Sequence, residues 1–285
     1  NLGIKGSSDN FSYMLRANMM DNQNFSTPDG ELENTWFKEN DIQAGLKYET
    51  EKFSSDLRFS MNFSELGLPH MEEGHDDHDD HDDHGDHDDH EGHDDHDDHE
   101  GHEDHYQELS HTTITWTNTF DLGNNHDLNV TLGRQLNERK EFGGHGEEEG
   151  HDDHDDHEGH EEGEAELDME LSTNTLDISI VMPQSDNFNL TIGTSILSQE
   201  NKNFGHEELI PDAEKSDFGV YGLGQITMEN GAALIGVRYD SRSITSERGS
   251  ADFSNFNGSV GIKRNYENSS VRFNIGSGYR APNLI

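Results

Sequence analysis

The chain of 285 residues contains no cysteine. That excludes a disulfide scaffold and any thiolate metal site, so a bound metal must be held by His, Asp and Glu. It also lacks an apolar run near 18 residues, which excludes a membrane-crossing helix. Basic side chains are scarce, 18 Lys and Arg against 62 Asp and Glu, for a net charge of −44. Nucleic acid is a poor partner for such a chain, because phosphates are held by clustered Lys and Arg. The apolar share, 28%, is low for a soluble domain of this length. Asn1–Ser8 show no basic region followed by an apolar core, so no signal peptide is visible and the chain reads as mature or as a piece of something longer. No nucleophile–base constellation stands out, and no enzymatic activity is expected.

What the chain has in excess is histidine among acids. Residues 74–105 read GHDDHDDHDDHGDHDDHEGHDDHDDHEGHEDH. Histidine recurs at every third position: His75, His78, His81, His84, His87, His90, His93, His96, His99, His102 and His105. A shorter copy carries His151, His154, His157 and His160. Residues 72–105 hold 19 acidic side chains and residues 147–166 hold 12, with no basic residue in either run. The rest of the chain carries only −13, a mildly acidic background onto which the two tracts are grafted. Imidazole with carboxylate suits Zn²⁺, and also Cu²⁺ and Ni²⁺. The three-residue period drifts against a helix, and like charges at this density favour an extended, solvated loop. The expected behaviour is many overlapping weak sites whose effective concentration retains an ion. Acid alone would keep a loop solvated; regular histidine adds metal affinity.

Outside the tracts the pattern has period two. Thr112–Phe120 places Ile114, Trp116 and Phe120 opposite Thr113, Thr115, Thr117 and Thr119. Phe188–Ile196 and Phe53–Phe63 alternate likewise, as strands with one apolar and one polar face do. Eleven strands are expected, at about 10–20, 41–50, 53–63, 108–120, 127–136, 167–182, 188–198, 217–228, 232–244, 255–265 and 270–279. Short turns, near 51–52, 121–126, 183–187, 229–231 and 266–269, alternate with long loops at 21–40, 64–107, 137–166, 199–216 and 245–254. Both tracts lie in long loops. This is the rhythm of an up-and-down antiparallel barrel with turns at one rim and loops at the other. Lys47, Arg58, Arg238, Lys263 and Arg272 all take the parity opposite the apolar residues, which suits the wet lumen of a barrel and the watered outside of a sandwich alike. Strands of ten or more residues fit a tilted bilayer crossing, and Tyr48, Phe53, Phe120 and Phe188 would form an aromatic girdle at the turn end. Gly222 and Gly224 would ease the curvature of the wall.

Near the C-terminal end, Gly278-Tyr279-Arg280-Ala281-Pro282-Asn283-Leu284 resembles the GYRAPNL signature of TonB-dependent outer-membrane receptors. Asn62–His75, a strand opening into the histidine loop, resembles the zinc-uptake receptors within that family. The resemblance implies an all-β transmembrane barrel of 22 strands around an N-terminal plug, energised through the TonB complex, of which this chain is a part. Residues 1–285 would then be partial barrel embedded in outer-membrane lipid, with 64–107 and 137–166 as extracellular metal-capturing loops. Import of zinc or a similar divalent ion is the leading function. A receptor for a metal chelate such as a siderophore or haem, and a surface metal buffer without transport, are the alternatives. For a fixed site outside the repeats the candidates are His70, His111, His145 and His206. His111, expected where the first tract meets its strand, is foremost, whereas His126 reads as ordinary surface. Arg280 and Asn283 are expected to be structural.

Overall fold

The computed structural model describes residues 1–28, 30–69, 105–143 and 165–283. These contain strands and no α-helix. Twelve strands form one antiparallel sheet in simple sequential order: β1 (Leu2–Ser8), β2 (Phe11–Asn22), β5 (Phe37–Glu49), β6 (Phe53–Gly67), β7 (Tyr106–Gly123), β8 (His126–Phe142), β9 (Leu167–Ser185), β10 (Phe188–Asn203), β11 (Ala213–Met228), β12 (Gly231–Ser246), β13 (Gly249–Asn265) and β14 (Ser270–Gly276). A small separate hairpin, β3 (Phe25–Thr27) and β4 (Gly30–Leu32), occupies the β2–β5 connection.

All eleven expected strands are present, and most are longer than alternation alone suggests. Three expectations are corrected. β1 was not anticipated, because Gly3, Gly6 and a serine pair interrupt its pattern; pairing with β2 decides it. The loop at 21–40 contains the β3–β4 hairpin. The supposed long loop at 245–254 is a tight turn at Glu247 and Arg248, with Ser246 paired to Gly249. Its Gly, Ser and charged residues resemble loop composition, yet Gly249 takes φ +131, a conformation that a side chain disfavours, and so allows the reversal. The β7–β8 reversal uses Asn124 and Asn125 at φ 53 and 59, the two left-handed residues of the hairpin turn whose twist matches its strands.

The parity of the sheet separates two surfaces. One presents Leu57, Ile114, Trp116, Leu132, Ile192, Ile196, Val237 and Val260, each between 40% and 51% exposed. The other carries Lys47, Asp56, Arg58, Asp217, Arg238, Asp240 and Arg242 in cross-strand and same-strand pairs. Among the described residues only Leu167, Ala213 and Ala281 are buried apolar side chains. A sandwich would cover the apolar face with a second sheet, and among the described residues none is packed on it. A face of large apolar side chains left open over twelve strands calls for lipid, since covering each such side chain is worth about 1.5–3 kcal/mol. At the turn end the rings of Tyr48, Phe53 and Phe120 form a row, Phe53 and Phe120 with centroids 4.9 Å apart. Phe188 packs over Gly224, where a Cβ would lie 3.2 Å from its ring. The four rings expected to form a girdle therefore all lie at the turn end of the apolar face.

Candidate metal-handling surface

The necks of the two tracts are neighbours. β6 leads into the first and β7 leaves it, while β8 leads into the second and β9 leaves it, and these four strands are paired consecutively. Leu68 N–H donates to His105 O at 2.8 Å, closing the first neck. Asn34 then clamps it from the side. Its Nδ2 donates to Leu68 O at 2.7 Å and to His105 O at 2.6 Å, from a buried position with φ 52. Gly67 makes the clamp possible, since a Cβ there would meet Asn34 Oδ1 at 2.5 Å. Tyr106 stacks on Phe142 at 4.6 Å and faces Trp36 at 6.4 Å, so rings from three connections brace the roots of both tracts. At the second neck Glu166 N–H donates to Glu141 O at 2.9 Å.

Of the sequence-predicted ligands, three lie among the described residues: His105, His111 and His206. His105 sits at the first neck. His111 is the sixth residue of β7, about 20 Å further down the strand at ~3.4 Å per residue, and so not at the loop–strand junction where it was expected. His75, His78, His81, His84, His87, His90, His93, His96, His99, His102, His151, His154, His157 and His160, with His70 and His145, lie outside the described residues. His126 opens β8 beside the Asn124–Asn125 turn. His206 lies exposed in the β10–β11 connection.

His111 belongs to a row on the polar face. In register, Asn18, Asp41, Asn62, His111 and Asn137 stand side by side across β2, β5, β6, β7 and β8. Asn62 Nδ2 donates to Asp41 Oδ1 at 2.7 Å and to Glu39 Oε1 at 2.9 Å, and Asn18 Nδ2 donates to Asp41 Oδ2 at 3.3 Å. His111 Nδ1 donates to Asn137 Oδ1, because an amide oxygen only accepts, and Thr113 Oγ1 meets His111 Nε2 at 3.1 Å. The imidazole is thus held in the wall with a polar partner on each ring nitrogen. Among the described residues no three His, Asp or Glu side chains converge on one point. The row is a ladder of single donors rather than a closed coordination shell. Parity alone placed these residues on one face; their register across five strands was not legible in the sequence.

A second polar feature lies on the same face of β9–β12. A cavity of about 480 Å³ is walled by Asp177, Ser195, Asp217, Arg238, Asp240 and Arg242, with Tyr279–Ala281 and Asn283 across it. Arg242 forms a bidentate pair with Asp217, both contacts at 2.6 Å, and its Nη1 donates to Pro282 O at 2.9 Å and to Asn283 Oδ1 at 3.3 Å. Asn283 thus helps to hold Arg242, and both Asn283 and Arg280 line the cavity. Arg238 pairs with Asp240 at 2.6 Å and donates to Ser195 Oγ at 2.7 Å. Gly219 leaves room for this pair: a Cβ would lie 2.3 Å from Arg238 Nη2. Sequence reading missed Arg242 and Asp217 because they stand 25 residues apart and meet only through pairing of β11 with β12.

Comparison with known proteins gives a consistent picture. A sequence profile described as "TonB dependent receptor-like, beta-barrel" matches residues 5–285. Among solved structures, the chain superposes on the FrpB iron transporter from Neisseria meningitidis (F3-3 variant) with TM-score 0.67 at 12% identity, covering 95% of this chain and 42% of that one. The copper transporter OprC gives 0.62 at 10% identity, covering 96% and 41%. The alcaligin outer-membrane receptor FauA from Bordetella pertussis gives 0.60 at 10% identity, covering 91% and 36%. The chain therefore spans about two fifths of the solved proteins that it resembles. No curated protein matches it.

Proposed function

The chain belongs to the TonB-dependent receptor β-barrel family, whose members are outer-membrane transport receptors, and from that premise we propose that it takes part in importing zinc or a similar divalent ion. The observation that carries this reading is the pair of histidine–acid tracts rooted on four consecutive strands at one rim. The tracts face outward and capture the ion; overlapping His and Asp sites hand it along, because an ion leaving one set meets the next. Below the first neck, Glu39, Asp41 and His111 offer two carboxylates and one imidazole along the lumen wall. A partly hydrated cation passing them exchanges one or two waters at a time for wall donors without being trapped. Zn²⁺, with its readiness to take mixed nitrogen and oxygen ligands, suits both stages. The inner-membrane TonB complex supplies the energy.

The test is uptake of radiolabelled zinc by cells expressing the full-length receptor with and without residues 72–105 and 147–166. Loss of uptake at low zinc, with recovery at high zinc, is the expected result. Unchanged growth and uptake at limiting zinc would overturn the capture role.

The cavity at Arg238 and Arg242 favours a second reading, in which the cargo is a metal held by a carboxylate-bearing chelator. Guanidinium forks recognise carboxylates in bidentate fashion, and a chelator's carboxylate would take the place of the Asp217 or Asp240 partner that holds each fork here. Uptake that needs the chelator and survives loss of both tracts would select it.

A further inference from the structure

The connection between β10 and β11, residues 204–212, is closed by two asparagine amides. Asn201 Nδ2 donates to Ile210 O at 2.9 Å and to Pro211 O at 3.2 Å. Asn203 Nδ2 donates to the same Ile210 O at 2.8 Å and to Asp212 Oδ1 at 2.8 Å. Asp212 Oδ1 also accepts the backbone N–H of Asn203 at 2.8 Å. Two amide nitrogens therefore fill a space bounded by three oxygens. Asn201 is 1% exposed, the most buried side chain described, and the amide oxygens of both Asn201 and Asn203 are buried without a donor. Native structures rarely leave such acceptors unmet, and each instance asks for a missing partner.

An amide's NH₂ and oxygen have nearly the same shape, so a half-turn of each group exchanges them with little change in packing. After that exchange the two NH₂ groups take the places of the unmet oxygens, the four amide hydrogen bonds are given up, and the space is bounded by oxygens alone: two amide oxygens, the carbonyls of Ile210 and Pro211, and the Asp212 carboxylate. We propose that this cage at the base of loop 204–212 binds a hard divalent cation, calcium in the first instance. Calcium takes six to eight oxygen donors, carboxylate, amide and backbone carbonyl among them, with water completing the shell. The absence of imidazole sets it apart from the tracts, which suit zinc. Magnesium fits less well, because it demands a near-ideal octahedron and gives up water reluctantly. Of the cations flanking the cage in sequence, Lys202 is paired with Glu200, and Lys215 faces Arg242 and Asp217.

The position gives the ion a consequence. Phe204 N–H donates to Asp168 O at 2.7 Å and Glu207 N–H to Glu166 O at 2.9 Å, so the loop is stitched to the neck of the second tract. A Cβ on Gly205 would lie 2.3 Å from Glu166 O, which shows how closely the two segments lie. Calcium in the cage stiffens the neck as well as the loop.

Amide hydrogen exchange of the full-length receptor reads the site locally, apart from any ion bound to the tracts. Extracellular calcium modules bind in the range of about 0.1–1 mM. At ten times the dissociation constant, an ion that binds only the closed loop slows its exchange about elevenfold. Peptides covering 200–213 are expected to show that slowing in about 5–10 mM calcium relative to chelator, and a smaller effect in magnesium. Asp212→Asn, which keeps the shape and hydrogen bonds but removes the charge, should abolish most of it, as should Asn201→Ala with Asn203→Ala. No slowing in the unaltered receptor, or equal slowing in Asp212→Asn, overturns the proposal. Neither result depends on whether zinc is the cargo.

Discussion

Ile192→Arg tests the physical basis of the fold. Ile192 lies on the apolar face of β10, 44% exposed, with Ile180 and Gly222 as its paired neighbours. Phe188 starts the same strand at the turn end, and Ser198 stands on the same face at the other. A strand rising ~3.4 Å per residue and tilted by about 40° gains about 10 Å of height between Phe188 and Ile192. Between Phe188 and Ser198 it gains about 26 Å. With an apolar band about 25 Å tall, Ile192 falls near the midplane and Ser198 at the far interface. An arginine is then expected to cost about 2–4 kcal/mol at 192 and about 0–1 kcal/mol at 198. The first figure is a ~30- to 700-fold shift in the folding equilibrium, at ~1.4 kcal/mol per tenfold. The assay is equilibrium unfolding of the full-length receptor from lipid vesicles in denaturant, comparing Ile192→Arg with Ser198→Arg. In water both are exposed substitutions and should fall within about 0.5 kcal/mol of each other. Equal costs would refute the lipid-facing assignment.

Three further outcomes follow from the same geometry. Zinc capture by the tracts should weaken as pH falls, because protonation competes for the imidazole lone pair that the metal needs. With two imidazoles per ion and a free-histidine pKa of ~6.5, affinity should drop on the order of 100-fold between pH 7.5 and pH 5.5, read by zinc-binding titration; a flat profile would show that carboxylates do the binding. Asn34→Ala removes both hydrogen bonds that Asn34 makes to the first neck and should cost about 1–3 kcal/mol of local stability, seen as faster amide exchange around 66–68 and 105–107 with the rest of the sheet unchanged. His111→Ala should raise the zinc concentration for half-maximal uptake several-fold at equal receptor abundance, whereas Thr113→Val, which removes only the hydroxyl that meets Nε2, should leave a functional imidazole in place.

Period-two alternation, the absence of cysteine and of apolar helical runs, and the sheer density of histidine among acids are properties of residue order. They determined that the chain is an antiparallel sheet with a wet face and an apolar one, that no thiolate holds a metal, and which connections carry the histidine–acid tracts. Alternation is local, so it survives in the sequence wherever β-branched and aromatic residues are dense. It fails at β1, where glycine and serine dilute it, and at Glu247–Arg248, where turn and loop compositions coincide. Register is another matter. Whether His111 stands beside Asn62 and Asn137, whether Arg242 reaches Asp217, and whether Asn34 clamps a neck 34 and 71 residues away depend on how strands slide against one another. A slip of two residues keeps every face unchanged while replacing every partner, so face is written in the chain and partnership is decided only when the sheet is assembled.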